Sequence, residues 1–438
     1  MLSRLHRHHT PSPCSSPQRG EEIKNNTLST KGRGEGEGCY CTRYIIYLLL
    51  ILIFFSYNTG ALAEEKKWGT ANLMVIVERE AGSVIVIDAT RHEFLGRVKG
   101  LGNLKHATVK FSHDARYAYV IGRDATVSKI DLLTLKVVKQ VRAGEDSVGG
   151  VMTQDGRYVA LSNYKPGEVR ILDADTLETV KRIPAIKEYP DGRKVESRTV
   201  GLLDAPDNLF IFSLMDADGI WIVDAGRPDF PVIKKFWDAG KTPYDALITP
   251  DGHYYIAGFL NSNWMGLLDL WEQKEVKPIL TQKEGEEGTD VPLWKIPHLK
   301  GWAIAGDQAY LPAVKREWAI VYNIKSWELV KYVTLEGTAL YTVVRPGGRY
   351  VWVDLVGKNG DLIQVIDVQR LEVVKTFNPG KGATHPQFTP KGEAVYISLM
   401  DDNKVVVYDA SNYELIKEFP ADHPSGIFHS SRAHKFGW

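Results

Sequence analysis

Eight times the chain runs through a short apolar stretch that stops on a carboxylate or an amide. These are "GSVIVID" ending at Asp88, "ATVSKID" at Asp131, "GEVRILD" at Asp173, "DGIWIVD" at Asp224, "WMGLLD" at Asp269, "WAIVYN" at Asn323, "DLIQVID" at Asp367 and "NKVVVYD" at Asp409. Their successive spacings are 43, 42, 51, 45, 54, 44 and 42 residues. A unit of ~40 to 50 residues that holds several strands is the pattern of a propeller blade. A second strand precedes each copy, often after a tight turn, as in "HDARYAYVIG", "QDGRYVALSN" and "PDGHYYIAGF". A third follows connectors such as "DADTLETV", and an inner strand opens with stretches such as "HATVKFS" or "HPQFTP". Four strands per unit predict an all-β fold, a single eight-bladed β-propeller over residues 69–431.

The ends of the array bear on closure. The first copy begins at Leu73 without an inner strand, while "PSGIFHSS" after the eighth copy, from Pro424, can supply one. Splicing the two ends in one sheet would remove its free edges. The two long spacings place insertions at "IKEYPDGRKVES" and "TQKEGEEGTDVPLW". Residues 432–438 are left as a C-terminal tail.

Ahead of the repeats, residues 1–43 are polar and Gly/Pro-rich without apolar periodicity, so they are expected to be disordered or a spurious extension of the reading frame. Arg43 then precedes eleven apolar residues, Ile45 to Phe55, followed by Ala61-Leu62-Ala63. This is the layout of a signal peptide, 44–63, with cleavage after Ala63 and export to the periplasm. The run is short for a ~30 Å hydrocarbon core, so membrane attachment is expected only through an uncleaved anchor. All three cysteines precede Ala63, which excludes cysteine catalysis, thiolate zinc and iron–sulfur clusters from the exported part. That part carries 47 Lys/Arg against 50 Asp/Glu, no electrostatic footprint for nucleic acid.

In a propeller the connections into the inner strands lie around the axis on one face. That position holds His106, Ser147, Arg198, Pro243, His298, Ala339 or Tyr341, His385 and His423. A histidine at a strand end is ordinarily a satisfied polar residue, but four of the nine beyond Ala63 share this position. Converging imidazoles suit an iron or zinc centre or an acid–base pair. Loops on the same face add Arg79, Arg123, Lys165, Lys315, Arg316 and Lys358, and guanidinium forks suit a planar ligand with several carboxylates. Trp264, Trp294, Trp302 and Trp318 are candidates to stack on such a ring, or to pack blades.

The stretch "LKHATVKFSHDARYAYVIGRDATVSKIDLLT" resembles the d1-haem propeller family, that of dissimilatory nitrite reductase and, more closely, of a periplasmic protein of haem d1 biosynthesis. "TPYDALITPDGHYYIAGF", "WKIPHLKGWAIAGDQAYLPAV", "THPQFTPKGEAVYISLMDDNKVVVYD" and "PSGIFHSSRAHKFG" carry the resemblance over essentially all blades. It implies binding of haem d1, or its late precursor dihydro-haem d1, over the channel. His106 matches the haem iron ligand, and His298 matches a distal histidine suited to proton transfer. Arg123, Arg198 and His385 complete the cofactor-binding set. Where a second distal histidine would stand the chain has "LPAVKRE", and it lacks CxxCH, so nitrite reduction with a covalent c-type haem is not expected. The implied partners are the tetrapyrrole, nitrite reductase and other haem d1 maturation proteins. Whether the protein oxidises a side chain of the macrocycle or holds and delivers it stays open. A propeller of this size also serves as a cofactor-free interaction scaffold, which predicts a protein partner on the histidine face. A quinone-cofactor or lactonase propeller would need calcium-binding carboxylates at the inner-strand entrances, where the sequence has histidines.

Overall fold

The computed structural model describes residues 68–262, 264–280, 302–313 and 316–435. The segments 1–43 and 44–63 and the insertion at 281–294 lie outside these residues. The described chain forms eight four-stranded antiparallel sheets, the eight blades of a β-propeller. Blade 1 joins 73–98 to Pro424–His429, and blades 2 to 8 follow as 108–142, 146–184, 199–237, 243–280, 303–334, 338–377 and 383–420. No helix among the described residues is long and apolar enough to cross a membrane.

The sequence repeat has a local cause. Each of the eight Asp/Asn residues ends the third strand of its blade, and its side-chain oxygen takes up backbone N–H groups of the following turn. Asp88 Oδ1 accepts from Thr90 N at 2.8 Å, Asp131 from Leu133 N at 2.8 Å and Asp173 from Thr176 N at 2.7 Å. Asp224, Asp269, Asn323, Asp367 and Asp409 do the same at 2.7 to 2.9 Å. Only a short side chain with an acceptor at this reach mimics a backbone turn, which restricts the position to Asp and Asn.

Inner and middle strands are buried on both faces. In Leu73–Glu78, residues Leu73, Val75 and Val77 pack with Val109, Phe111 and Val120 of blade 2, while Met74 and Ile76 pack with Tyr396, Val405 and Val407 of blade 8. The period of two thus alternates between neighbouring blades. The outermost strands are largely exposed, as in Lys136–Arg142 and Leu415–Pro420.

The ring closes as expected. Pro424–His429 pairs antiparallel with Leu73–Glu78, placing Phe428 opposite Val75 and Ile427 opposite Ile76. The buried Glu78 locks the joint. Its carboxylate accepts from Arg97 Nε at 2.6 Å, Ser83 Oγ at 2.6 Å and the Asp422 N–H at 2.9 Å. Beyond the splice a 3-10 helix, Ser430–His434, follows, and its Arg432 is buried although it falls in the segment assigned to the tail. The insertion at "IKEYPDGRKVES" is a hairpin, Ile186–Glu188 against Lys194–Glu196.

Candidate functional site

The inner-strand entrances and the loops between second and third strands do share one face. On it lies a cavity of about 460 Å³ walled by Arg79, Asn103, Lys105, His106, Arg123, Val148, Tyr164 and Tyr244. Blades 1, 2, 3 and 5 contribute to this wall. His106 stands just before the short inner strand Thr108–Phe111, on the turn that leaves Leu104, and it is solvent-exposed. Its pKa is lowered, first by desolvation, then by the positive charges of Arg123 and Arg79, against an opposing pull from Asp146. The imidazole is therefore held in the neutral, ligand-competent form.

Around it the charges are paired. Arg123 is ion-paired with Asp146: its Nη2 donates to Oδ2 at 2.9 Å and its Nε lies 2.6 Å from Oδ1. Arg198 forks onto Asp216, at 2.9 Å from Nε and 2.5 Å from Nη2, and this bond holds the Asp216 carboxyl below its usual range. Both guanidiniums lie over the ring of Tyr164, at 4.9 and 5.4 Å. The Tyr164 and Tyr244 hydroxyls interact, and burial raises the pKa of both phenols, so they act as neutral hydrogen-bonding groups. Arg79 donates from Nη2 to the Lys105 carbonyl at 2.9 Å. The wall thus offers one accessible imidazole, two phenols and the guanidiniums of Arg79 and Arg123, with that of Arg198 beside it.

Comparison with known proteins adds the family. Residues 68–433 match the model of the cytochrome D1 heme domain. The protein NirF of Pseudomonas aeruginosa is 43% identical over 370 residues, 84% of this chain and 94% of that one. NirF of Stutzerimonas stutzeri is 39% identical over 377 residues, 86% and 96% of the two chains. This chain belongs to the cytochrome D1 heme domain family. Among solved members of this d1 family, the dihydro-heme d1 dehydrogenase NirN in complex with DHE superposes with a TM-score of 0.74 at 29% identity, over 84% of this chain and 77% of that one.

Not every expected residue of the d1-type site reaches the cavity. His298 and Trp294 lie outside the described residues. Arg198 sits beside the cavity, behind Tyr164, rather than in its wall. His385 is buried in the inner strand of blade 8 and does not line the cavity. Its backbone adopts φ +54°, and its N–H donates to the buried carboxylate of Asp354 at 2.7 Å. Asp354 also accepts from Thr384 Oγ1 at 3.0 Å and Tyr341 N at 2.7 Å, tying blades 7 and 8 together at their bulges. Burial drives the His385 pKa down to about 4 and pushes Asp354 up to about 7.

The described tryptophans proposed for stacking serve packing instead: Trp302 is buried, Trp264 packs on blade 5 and Trp318 stacks on Tyr332 at 4.7 Å. The aromatic groups at the mouth are Tyr164 and Tyr244. Their signal lay in "SNYK" and "TPYDAL", at the end of one second strand and the start of one inner strand. Two carboxylates accompany the histidine at this mouth, Asp146 and Asp216, each neutralised by an arginine.

Proposed function

We propose that this protein binds a d1-type haem, haem d1 or dihydro-haem d1, over the His106 mouth of the propeller. In this reading it acts in the periplasm in maturation of the tetrapyrrole side chain or its delivery to nitrite reductase. The observation that carries the proposal is an accessible, neutral imidazole set among guanidiniums and phenols, in a chain that belongs to the cytochrome D1 heme domain family. The NirN relative, solved with DHE, supports a macrocycle of this class.

The residues present fit such a group. His106 would ligate the iron through a ring nitrogen. Arg198 commits two of its five N–H donors to Asp216 and Arg123 one to Asp146, which leaves donors on both for a carboxylate of the macrocycle. Arg79 and Lys105 add positive charge on the opposite side of His106 in sequence, and Tyr164 and Tyr244 offer ring faces and hydroxyls. When bound, the macrocycle supplies iron and a conjugated redox-active ring. His298 is assigned proton transfer on the distal side from the family resemblance, and His385 a supporting place beneath the mouth.

Titration of the purified protein with haem d1 and, separately, dihydro-haem d1 tests the reading. Saturable one-to-one binding is expected. Conversion of the dihydro form under an electron acceptor, without a second protein, assigns catalysis, and tight binding without conversion assigns carriage. Absence of binding to either form overturns the proposal.

A further inference from the structure

A second cavity, of about 190 Å³, opens where the inner strands end, away from the His106 mouth. Its base is formed by Lys110 on the inner strand of blade 2, Asp204 on the inner strand of blade 4 and Arg432 of the C-terminal 3-10 helix. All three are at least nine-tenths buried. Exposed His113, His434 and Lys435 form the rim. Lys110, Arg432 and Lys435 thus place cationic side chains around the Asp204 carboxylate, which already accepts a hydrogen bond from the Gln154 amide.

Lys110 makes the arrangement informative. It is 93% buried, yet among the described residues its ammonium makes no hydrogen bond and no ion pair, and it borders the cavity. A buried ammonium without a partner is costly, and proteins retain one where something pairs with it. Burial and the neighbouring Arg432 lower its pKa to about 8, with Asp204 pulling the other way. Nothing in the His106 site uses these groups.

We infer that this cavity is a binding site for a small oxyanion of phosphate size, held by Lys110 and Arg432 with Lys435 at its rim. The cavity admits a tetrahedral anion, and an ammonium beside a guanidinium supplies charge-assisted donors to its oxygens.

The test is calorimetric titration of the full protein with inorganic phosphate, at constant ionic strength set with chloride. One saturating equivalent is expected. Lys110→Met should weaken binding by roughly tenfold or more and Lys435→Gln by about threefold, whereas Asp204→Asn, which removes the competing charge, should tighten it. The haem d1 titration at the other mouth should be unchanged in all three variants, which also reports that they fold. If Lys110→Met does not fold, the opposite signs of the Lys435 and Asp204 variants decide. No saturable phosphate binding, or equal affinity in wild type and the variants, overturns the inference.

Discussion

In the proposed function His106 and its neighbours divide the work of the mouth between a ligand and a frame. Imidazole binds a metal only when neutral, and desolvation with Arg123 and Arg79 lowers the His106 pKa below the ordinary 6.5. Haem d1 binding should therefore weaken less as pH falls through 6.5 than it would through an unperturbed histidine, which absorption titrations at pH 7.5 and 6.0 check. The frame is the two arginine–aspartate pairs. Arg198→Lys keeps the charge but loses the fork on Asp216 and the planar contact with Tyr164, so haem d1 affinity should fall by roughly tenfold while the fold persists. The positions of His106, Arg123 and Arg198 were legible because a propeller's topology sorts residues by strand end. Their pairing with Asp146 and Asp216, and the part played by Tyr164, were not. Which carboxylate meets which arginine depends on loop paths that strand periodicity does not constrain.

At the scale of elements, the turns and the closing strand carry the stability. The first-to-second-strand turns of blades 3 and 5 place Gly156 and Gly252 at φ +71° and +75°, whereas blade 2 has Ala115 at φ +55°. Ala115→Gly should relieve this strain and stabilise the protein by about 1 kcal/mol in urea denaturation. In the closing strand Phe428 is fully buried, and Phe428→Ala should cost about 3–5 kcal/mol.

The same strand builds in an acid sensitivity. His429 Nδ1 accepts from Ser431 N at 2.9 Å while Nε2 faces Asn72 Oδ1 at 2.6 Å, an arrangement that requires the neutral ring. Burial, with Arg432 and Lys435, lowers its pKa from 6.5 to about 4. As pH falls below 6.5 the unfolded chain gains a proton that the folded ring refuses, so this residue removes stability between about pH 6.5 and 4, by at most about 3 kcal/mol. His429→Gln does not titrate and should flatten that part of the stability curve, measured by urea unfolding at pH 7 and 5. The strand itself was visible in "PSGIFHSS" by simple accounting, since the first repeat lacked an inner strand. The burial of Arg432 just beyond it was not, because a charged residue after the last strand carries no sequence sign that the chain turns back beneath the channel.

For the whole molecule, closure of eight sheets into one ring turns separated residues into sites at both ends of the inner strands. The spacing of the Asp/Asn-ended strands made the number of blades readable, because each of those residues performs the same turn chemistry. In the proposed function the mouth bearing His106 holds a d1-type haem through that imidazole. The most direct measurement of this is the absorption spectrum and affinity of haem d1 titrated into the wild-type protein and into His106→Ala. A histidine-ligated spectrum is expected in the wild type and its loss in the variant, with affinity reduced by roughly tenfold or more. An identical spectrum and affinity in the two proteins would contradict it.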